Sequence, residues 1–219
     1  MGGRLLRKLM LKMSVSMDGF CADSDPHGPQ KWLFDTADDE SNAWEISFLK
    51  DVGYHAMGHD TYRVMAGFWP VSNDSFSDLM NSIPKLVFTR KGLDADDAGI
   101  TPRAVEEARA TSESKVVPND DVIRSWTHPR VAQGDLREEI AKLKSEEGKD
   151  IVAYGGASLA QSLIELDVVD DYRFLIHPVI LGSGLPVFTK AQALMGLELV
   201  EARQFPNGAV AHVYNRKRG

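Results

Sequence analysis

Residues 150–167, DIVAYGGASLAQSLIELD, place two adjacent glycines between an apolar run and a helical pattern. The run at 151–154 is typical of a strand buried on both faces, because no polar residue alternates with the apolar ones. Leu159, Leu163 and Leu166 recur at helical spacing. The stretch therefore predicts a strand, a tight turn and a helix.

The glycine pair predicts a corner with a close backbone approach, since Gly155 and Gly156 can adopt positive φ without a Cβ clash. The N–H groups of Ala157, Ser158 and Leu159 would begin the helix and could bind an anion. A corner that only packs the helix on the sheet explains the glycines equally well. The pattern is not G-x-G-x-x-G, so a standard Rossmann site is disfavoured.

The first half of the chain predicts two further strand and helix units. Alternation in residues 8–19 indicates a first strand, after which a helix starts at 36–39 and ends at Gly53, with Val52 on its inner face. Residues 54–68, YHAMGHDTYRVMAGF, again predict a strand, a glycine turn and a helix. Strand–helix alternation of this kind favours an α/β domain.

The second half predicts a strand candidate at 123–131, a helix started by a capping box at Asp135 and Glu138, and a terminal hairpin with its turn at 206–208. Residues 92–121 are polar and irregular and are interpreted as an insertion, with a short helix at 105–109. One α/β domain over residues 1–219, with a mixed sheet, is therefore predicted.

The composition narrows the class of partner. The net charge of −7 argues against general nucleic-acid binding, which needs clustered Lys and Arg. Cys21 is the single cysteine, so no intramolecular disulfide can form, and the six histidines are scattered along the chain. With no membrane-spanning stretch, a soluble, cytoplasmic protein without a metal site is expected.

Five motifs in order resemble the dihydrofolate reductase-like fold, in the branch related to the C-terminal reductase domain of riboflavin biosynthesis. They are SVSMDG (14–19), MGHDTY (57–62), KLVFTR (85–90), LKSEEGKDIVAYGGASLAQSL (143–163) and IHPVILGSGLPVF (176–188). The resemblance implies a three-layer α/β fold with a mixed, mainly parallel sheet, helices on both faces and a C-terminal antiparallel hairpin.

The resemblance implies NADPH as the cofactor, with its pyrophosphate between two helix starts. The matching positions are Gly58, His59, Asp60 and Thr61 on one side, and Tyr154, Gly155, Gly156, Ala157, Ser158 and Leu159 on the other. Thr89 and Arg90 match the strand end that meets the adenosine phosphate, although Arg90 could equally be a solvated surface residue. Because His59 stands where the family often has arginine and Asp60 adds a negative charge, NADH is left open.

The resemblance also implies a substrate side. Lys12 matches a substrate-side lysine, unless it is only the outward residue of an alternating strand. The aromatic residues Phe20, Trp32 and Trp69 could form a wall for a planar heterocycle, or simply anchor loops. The nearest carboxylates to the expected acid position are Asp39 and Glu40, which capping of a helix start explains as well.

The expected function is therefore an NAD(P)H-dependent reductase of a small pteridine- or pyrimidine-like compound, by hydride transfer. A catalytically silent NADP(H)- or nucleotide-binding module is the alternative. A homodimer is also expected, because residues 172–188 are apolar enough to need cover on both faces and related proteins pair beside this segment.

Overall fold

The computed structural model of the protein describes residues 6–25, 30–94, 116–189 and 194–217. Its strands are β1 (Leu9–Ser16), β2 (Phe20–Ala22), β3 (Val52–Gly58), β4 (Lys85–Phe88), β5 (Arg130–Ala132), β6 (Asp150–Ala153), β7 (Asp171–His177), β8 (Leu185–Pro186), β9 (Leu197–Gln204) and β10 (Val210–Arg216). Its helices are α1 (Lys31–Asp35), α2 (Asp39–Leu49), α3 (His59–Phe68), α4 (Ser77–Ser82), α5 (Asp120–Thr127), α6 (Leu136–Ser145) and α7 (Ala157–Glu165), with a 3₁₀ turn at Trp69–Val71.

Eight strands form one sheet in the order β5-β4-β3-β6-β1-β7-β10-β9, and β2 pairs with β8 separately. The six strands from β5 to β7 run parallel to one another, whereas β10 is antiparallel to both β7 and β9. The predicted α/β fold, with a mixed, mainly parallel sheet and a C-terminal antiparallel hairpin, is confirmed. All the parallel strands therefore end at one edge of the sheet.

Helices cover both faces of this sheet, and β1 shows how the sequence builds the two layers. Leu9 and Leu11 pack in a cluster that includes Ile140 of α6 and Leu163 of α7. Met10, on the other face, packs in a cluster with Leu49 of α2. Because successive side chains of a strand point to opposite faces, one strand contributes to both cores.

Two sequence predictions about secondary structure are wrong. The strand predicted at 123–131 is present only in its last two residues, which begin β5, whereas 123–127 belong to α5. Asn119 caps this helix by accepting a hydrogen bond from the Val122 N–H at 2.9 Å. Trp126 is the buried residue of that helix, and Pro129 follows its end, where proline disfavours further helix. The few apolar residues of this stretch therefore mark one helix face.

Val52 and Gly53 belong to β3, since α2 ends at Leu49. The pairing of β3 with β6 shifts register between Val52 and Tyr54, and a Cβ on Gly53 would lie 2.9 Å from the Lys149 carbonyl oxygen. Gly53 thus allows a close approach of two strands and is not a helix stop.

The predicted hairpin is confirmed, and its turn fixes the start of α2. Asp38 caps α2 by accepting a hydrogen bond from the Ser41 N–H at 2.7 Å. Its second carboxylate oxygen accepts one from the Asn207 N–H in the hairpin turn at 3.0 Å. One carboxylate therefore joins the first long helix to the C-terminal hairpin.

Most of the predicted insertion at 92–121, including the short helix at 105–109, lies outside the described residues, and the single-domain organisation stays a prediction. Among the described helices, α2 is the longest at 11 residues, and none is long and apolar enough to cross a membrane.

Candidate active site

Two strand–glycine–helix corners meet at the edge where the parallel strands end. The β3–α3 corner lies at Gly58 and the β6–α7 corner at Gly155 and Gly156, and β3 and β6 are neighbours in the sheet. The Gly58 N–H donates a hydrogen bond to the Gly155 carbonyl at 3.3 Å, and the Gly156 N–H donates one to Thr61 Oγ1 at 2.6 Å. We call these three glycines the glycine edge.

At the glycine edge, Gly155 and Gly156 have little room for side chains, whereas a Cβ on Gly58 would make only an ordinary contact with Leu159 at 3.8 Å. Gly155 has a φ of +84°, and a Cβ built there would lie 3.1 Å from Met13 Sδ. A Cβ on Gly156 would lie 3.0 Å from Thr61 Oγ1, and the peptide bond between the two glycines is cis. Local packing therefore accounts for the glycine pair as far as its conformation is concerned.

Both helices at this edge begin without a side-chain cap, since the N-cap residues are Gly58 and Gly156. The first turns contain His59 and Asp60 in α3 and Ala157 to Leu159 in α7, all of them predicted site residues. Two helix N-termini with their backbone N–H groups and dipoles thus lie side by side, which suits an anion.

The end of β4 brings Thr89 and Arg90 to the same edge. Phe88 pairs with Gly58 in the β3–β4 register, so the two residues that follow it lie next to the start of α3. The Thr89 hydroxyl accepts a hydrogen bond from the Lys91 N–H and donates one to the Gly92 carbonyl, which shapes the loop. Arg90 is exposed.

A buried ion pair joins β1 to α2. Lys12 Nζ lies 2.6 Å from Glu45 Oε2, and both residues are only 7% exposed. Lys12 also donates a hydrogen bond to Ser14 Oγ at 3.2 Å and lies 5.5 Å from the centroid of the Tyr154 ring. Lys12 is therefore not the outward residue of an alternating strand, and Tyr154 links the ion pair to the glycine edge.

Sequence reasoning missed Glu45. The predicted candidates, Asp39 and Glu40, lie exposed in the first turn of α2, where Glu40 Oε2 is 3.7 Å from Arg203 Nη2. Glu45 lies on the buried face of the same helix, with Trp44 and Leu49. A charged residue at the helical spacing of core positions was the available signal, because buried charges are rare unless paired.

The Tyr154 hydroxyl is buried beside the Glu45 carboxylate, which is near enough to act on it, although no hydrogen bond of normal geometry joins it to a described residue. Burial, together with the nearby negative charge of Glu45, raises the pKa of Tyr154 well above its usual value. The hydroxyl is thus a neutral donor that remains protonated beside the ion pair.

His177, at the end of β7, is a neutral histidine near the same ion pair. Burial, with a contribution from the Lys12 charge, lowers the pKa of His177 to about 4. Its Nδ1 lies 2.7 Å from Thr36 Oγ1, and that hydroxyl donates its hydrogen to the Trp32 carbonyl. With the Thr36 hydrogen on the Trp32 carbonyl, Nδ1 of the neutral ring carries the proton, and Nε2, buried without a partner among the described residues, is an acceptor.

The predicted aromatic residues lie in different places. Trp32 packs edge-on against His177, with 5.3 Å between ring centroids. Phe20 pairs with Pro186 in the β2–β8 ribbon. Trp69 packs with Phe76 at 6.3 Å and belongs to a separate cluster around Trp126. The structure thus brings Trp32 to the polar group around Lys12, and it gives Trp69 a packing position elsewhere.

No group of three metal-ligating side chains is found within the described ranges. The contacts described above make the Lys12–Glu45 pair, Tyr154 and His177 the polar centre of the site.

The fold and much of the length of the chain match known proteins. It is 28% identical over 214 residues to protein YyaP of Bacillus subtilis (strain 168), covering 95% of each chain. Among solved structures, it matches a diaminohydroxyphosphoribosylaminopyrimidine deaminase/5-amino-6-(5-phosphoribosylamino)uracil reductase from Thermotoga maritima, with a TM-score of 0.64, 18% identity and coverage of 97% of this chain and 57% of that one.

A dihydrofolate reductase from Enterococcus faecalis, in a complex with NADP(H), matches with a TM-score of 0.53, 12% identity and coverage of 96% of this chain and 97% of that one. At these identities the structural matches establish the fold. The model of the RibD C-terminal domain matches residues 7–211, which is most of the chain. The protein is therefore a member of the RibD C-terminal domain family.

Proposed function

We propose that this protein is an NADPH-dependent reductase of a small planar heterocycle of the pyrimidine or pteridine type. The observation that carries the proposal is the meeting of two uncapped helix starts at the glycine edge, with the buried Lys12–Glu45 pair close by through Tyr154. The relatives support it, since one is named as a uracil-type reductase and another as a dihydrofolate reductase in complex with NADP(H).

The residues of the glycine edge fit a pyrophosphate. No side chain caps either helix start, so the first-turn N–H groups of α3 and α7 can bind an anion without a large cationic surface. This matters in a protein with a net charge of −7. When bound, the reduced nicotinamide supplies the hydride.

Arg90 is proposed to favour NADPH over NADH. It lies exposed beside the start of α3, where a guanidinium can bind the adenosine phosphate through paired hydrogen bonds. His59 Nδ1 lies 3.1 Å from Asp60 Oδ1, so the two positions that depart from the family pattern contact each other. NADH stays open as a second cofactor.

On the substrate side, Lys12 is proposed to stabilise the negative charge that hydride addition places on the heterocycle, while Glu45 holds the ammonium in position. Tyr154 can donate a hydrogen bond, and His177 Nε2 can accept one. Phe20 and Trp32 are proposed as the aromatic wall. This combination of donor, acceptor and aromatic face suits a ring with alternating carbonyl and N–H groups.

A silent nucleotide-binding module is the second candidate, favoured by one observation. The buried ammonium and carboxylate neutralise each other at 2.6 Å, which is also the arrangement of a purely structural pair.

A steady-state assay separates the two functions. Purified protein is mixed with NADPH or NADH and with a panel of pterins, flavins and pyrimidines, and the loss of nicotinamide absorbance is followed. We expect oxidation of NADPH with a pyrimidine or a pterin. Cofactor binding without turnover across the panel would instead favour the silent module.

Arg90→Ala should weaken NADPH and spare NADH, because only NADPH carries the 2′-phosphate. Loss of one charge-assisted contact costs about 1.5–3 kcal/mol, which is roughly a 10- to 150-fold increase in Kd. Arg137→Ala, which removes another exposed arginine, is the matched control. Equal losses for both cofactors would contradict the proposed role of Arg90.

Glu45→Gln should lower kcat by about 10²-fold while the Kd for NADPH is retained, because the substrate-side ammonium loses the carboxylate that positions it. Glu40→Gln changes an exposed carboxylate of the same helix and tests the position predicted from the sequence. Thermal unfolding of both variants verifies that they fold. A loss of turnover in Glu40→Gln but not in Glu45→Gln would mean that the functional carboxylate lies in the first turn of α2, as the sequence predicted.

We also propose a homodimer in the cytoplasm, with the edge strand β9 as its interface. Phe174 and Leu175 of β7 are buried in the chain's own cores, because β1 and β10 flank that strand. The edge strand β9 presents exposed apolar residues, with Leu199 and Val200 more than half exposed, and Ile180 and Phe188 of the segment 172–188 are exposed as well. Such an edge invites pairing with a second copy.

Light scattering after size exclusion should give a mass near twice the 24.2 kDa of one chain. Leu199→Lys, which places a charge on the exposed edge, should shift the protein to the mass of one chain. A wild-type mass near that of one chain would exclude the dimer, and an unchanged dimer in the variant would exclude β9 as its interface.

A further inference from the structure

Lys85, the first residue of β4, is a buried lysine whose described partners are all neutral. It is 1% exposed. Its Nζ donates hydrogen bonds to the Asn81 carbonyl at 2.9 Å and to Ser125 Oγ at 2.6 Å, and lies 4.4 Å from the centroid of the Trp126 ring. An ammonium has three N–H donors, so these two hydrogen bonds leave one N–H that has the Trp126 ring face beside it but no oxygen or nitrogen acceptor among the described residues.

A buried ammonium without a counter-charge is costly. Burial lowers the pKa of Lys85 from 10.5 to about 7. In the unfolded chain the amine keeps its ordinary pKa, so burial of the charged form destabilises the folded protein below about pH 7. That penalty fades as the pH rises from about 7 towards 10.5. An anion beside Lys85 would remove the penalty.

Lys85 forms part of the wall of a pocket of about 430 Å³. The pocket lies where β4 begins, and thus at the opposite edge of the parallel sheet from the glycine edge. Its other ionisable side chains are those of Tyr54 from β3, Asp121 and Arg124 from α5, His128, and Arg130 from β5. We call this cavity the lysine pocket.

The charge of the lysine pocket is positive. Arg124 lies 4.0 Å from Asp121, the one carboxylate in the lining. Arg130 forms two hydrogen bonds with Glu146, at 2.5 and 2.6 Å, but Glu146 also lies 3.6 Å from Arg7. Arg130 and Arg7 thus share the single carboxylate of Glu146, which lies outside the pocket lining. Among the described residues, no carboxylate pairs with Lys85.

His55 is the remaining titratable neighbour of Lys85, with which it pairs in the β3–β4 register. It is fully buried, and its pKa is lowered to about 3 by burial and by the Lys85 charge. His55 is therefore neutral and cannot compensate the ammonium with a charge of its own.

We propose that the lysine pocket is a second ligand site, separate from the glycine edge, that binds a small oxyanion carrying a phosphate, sulfate or carboxylate group, with Lys85 as its principal charge partner. Its volume suits a small organic anion. Arg124 and Arg130 add positive potential to the pocket. An oxygen of the bound anion would accept a hydrogen bond from the remaining N–H of Lys85. The proposal does not depend on the reductase activity.

The test measures Tm in sodium sulfate, and separately in sodium malonate, against sodium chloride at equal ionic strength. Three proteins are compared: wild type, Lys85→Met, and the matched control Lys50→Met, which changes an exposed lysine. Sulfate and malonate distinguish a tetrahedral oxyanion from a carboxylate. Sulfate also stabilises proteins in general, and this effect is common to all three proteins.

At about pH 6, and at a concentration about tenfold above the dissociation constant, the specific gain in Tm should be about 3–6 °C in wild type and in Lys50→Met. It should be absent in Lys85→Met and should shrink at about pH 8.5, where Lys85 is neutral. His128 remains in all three proteins, so the difference between wild type and Lys85→Met reports Lys85.

Equal gains in wild type and Lys85→Met, or no gain from either anion over chloride, would overturn the proposal. Lys85→Met should itself fold, because an apolar side chain replaces a buried charge, and its Tm in chloride verifies this. If it does not fold, isothermal calorimetry of wild type and Arg130→Gln with sulfate decides the matter: binding that weakens several-fold in Arg130→Gln supports the site, and no measurable binding to wild type refutes it.

Discussion

The hydrogen bond from the Gly156 N–H to Thr61 Oγ1 is the contact on which the candidate site depends. It joins the first residue before α7 to the first turn of α3, while the Gly58 N–H bonds back to Gly155. Two helices that follow neighbouring parallel strands are thereby held with their N-termini side by side. A Cβ on Gly156 would lie only 3.0 Å from Thr61 Oγ1. The same close contact between Gly156 and Thr61 therefore favours glycine at this position and aligns the dipoles of α3 and α7.

The Lys12–Glu45 pair contributes a different kind of order. Each charge alone would be strongly destabilising at 7% exposure, and a buried pair gains little net stability over apolar residues of similar size. What the pair fixes is position, since β1 and α2 must approach closely enough for a 2.6 Å contact. Burial is the main reason that Tyr154 and His177 are neutral, and the charges of Glu45 and Lys12 reinforce it, so the ion pair favours the neutral donor and the neutral acceptor beside it.

The sequence predicted the features that arise from local constraints. Gly155, with its φ of +84°, and Gly156, whose Cβ would lie 3.0 Å from Thr61 Oγ1, mark a turn that few other residues allow, and the apolar spacing around the glycines identifies the strands and helices. Glu45 was missed because its importance comes from a partner 33 positions earlier in the chain, across the β1–α2 packing. Residues 123–131 were misassigned because short apolar runs have no clear period, and the cap at Asn119 was overlooked. The role of Arg90 stays a prediction, because an exposed side chain is not fixed by its fold.

The two edges of the parallel sheet suit anions in physically different ways. At the carboxyl edge, backbone N–H groups and helix dipoles give a fixed partial charge that costs no buried cation and does not titrate. At the amino edge, Lys85 supplies a full charge, but burial brings its pKa into the physiological range. The first arrangement suits a ligand that must always bind, such as a cofactor. The second makes affinity depend on pH and on the presence of the anion, so the two edges of one sheet can respond to different conditions.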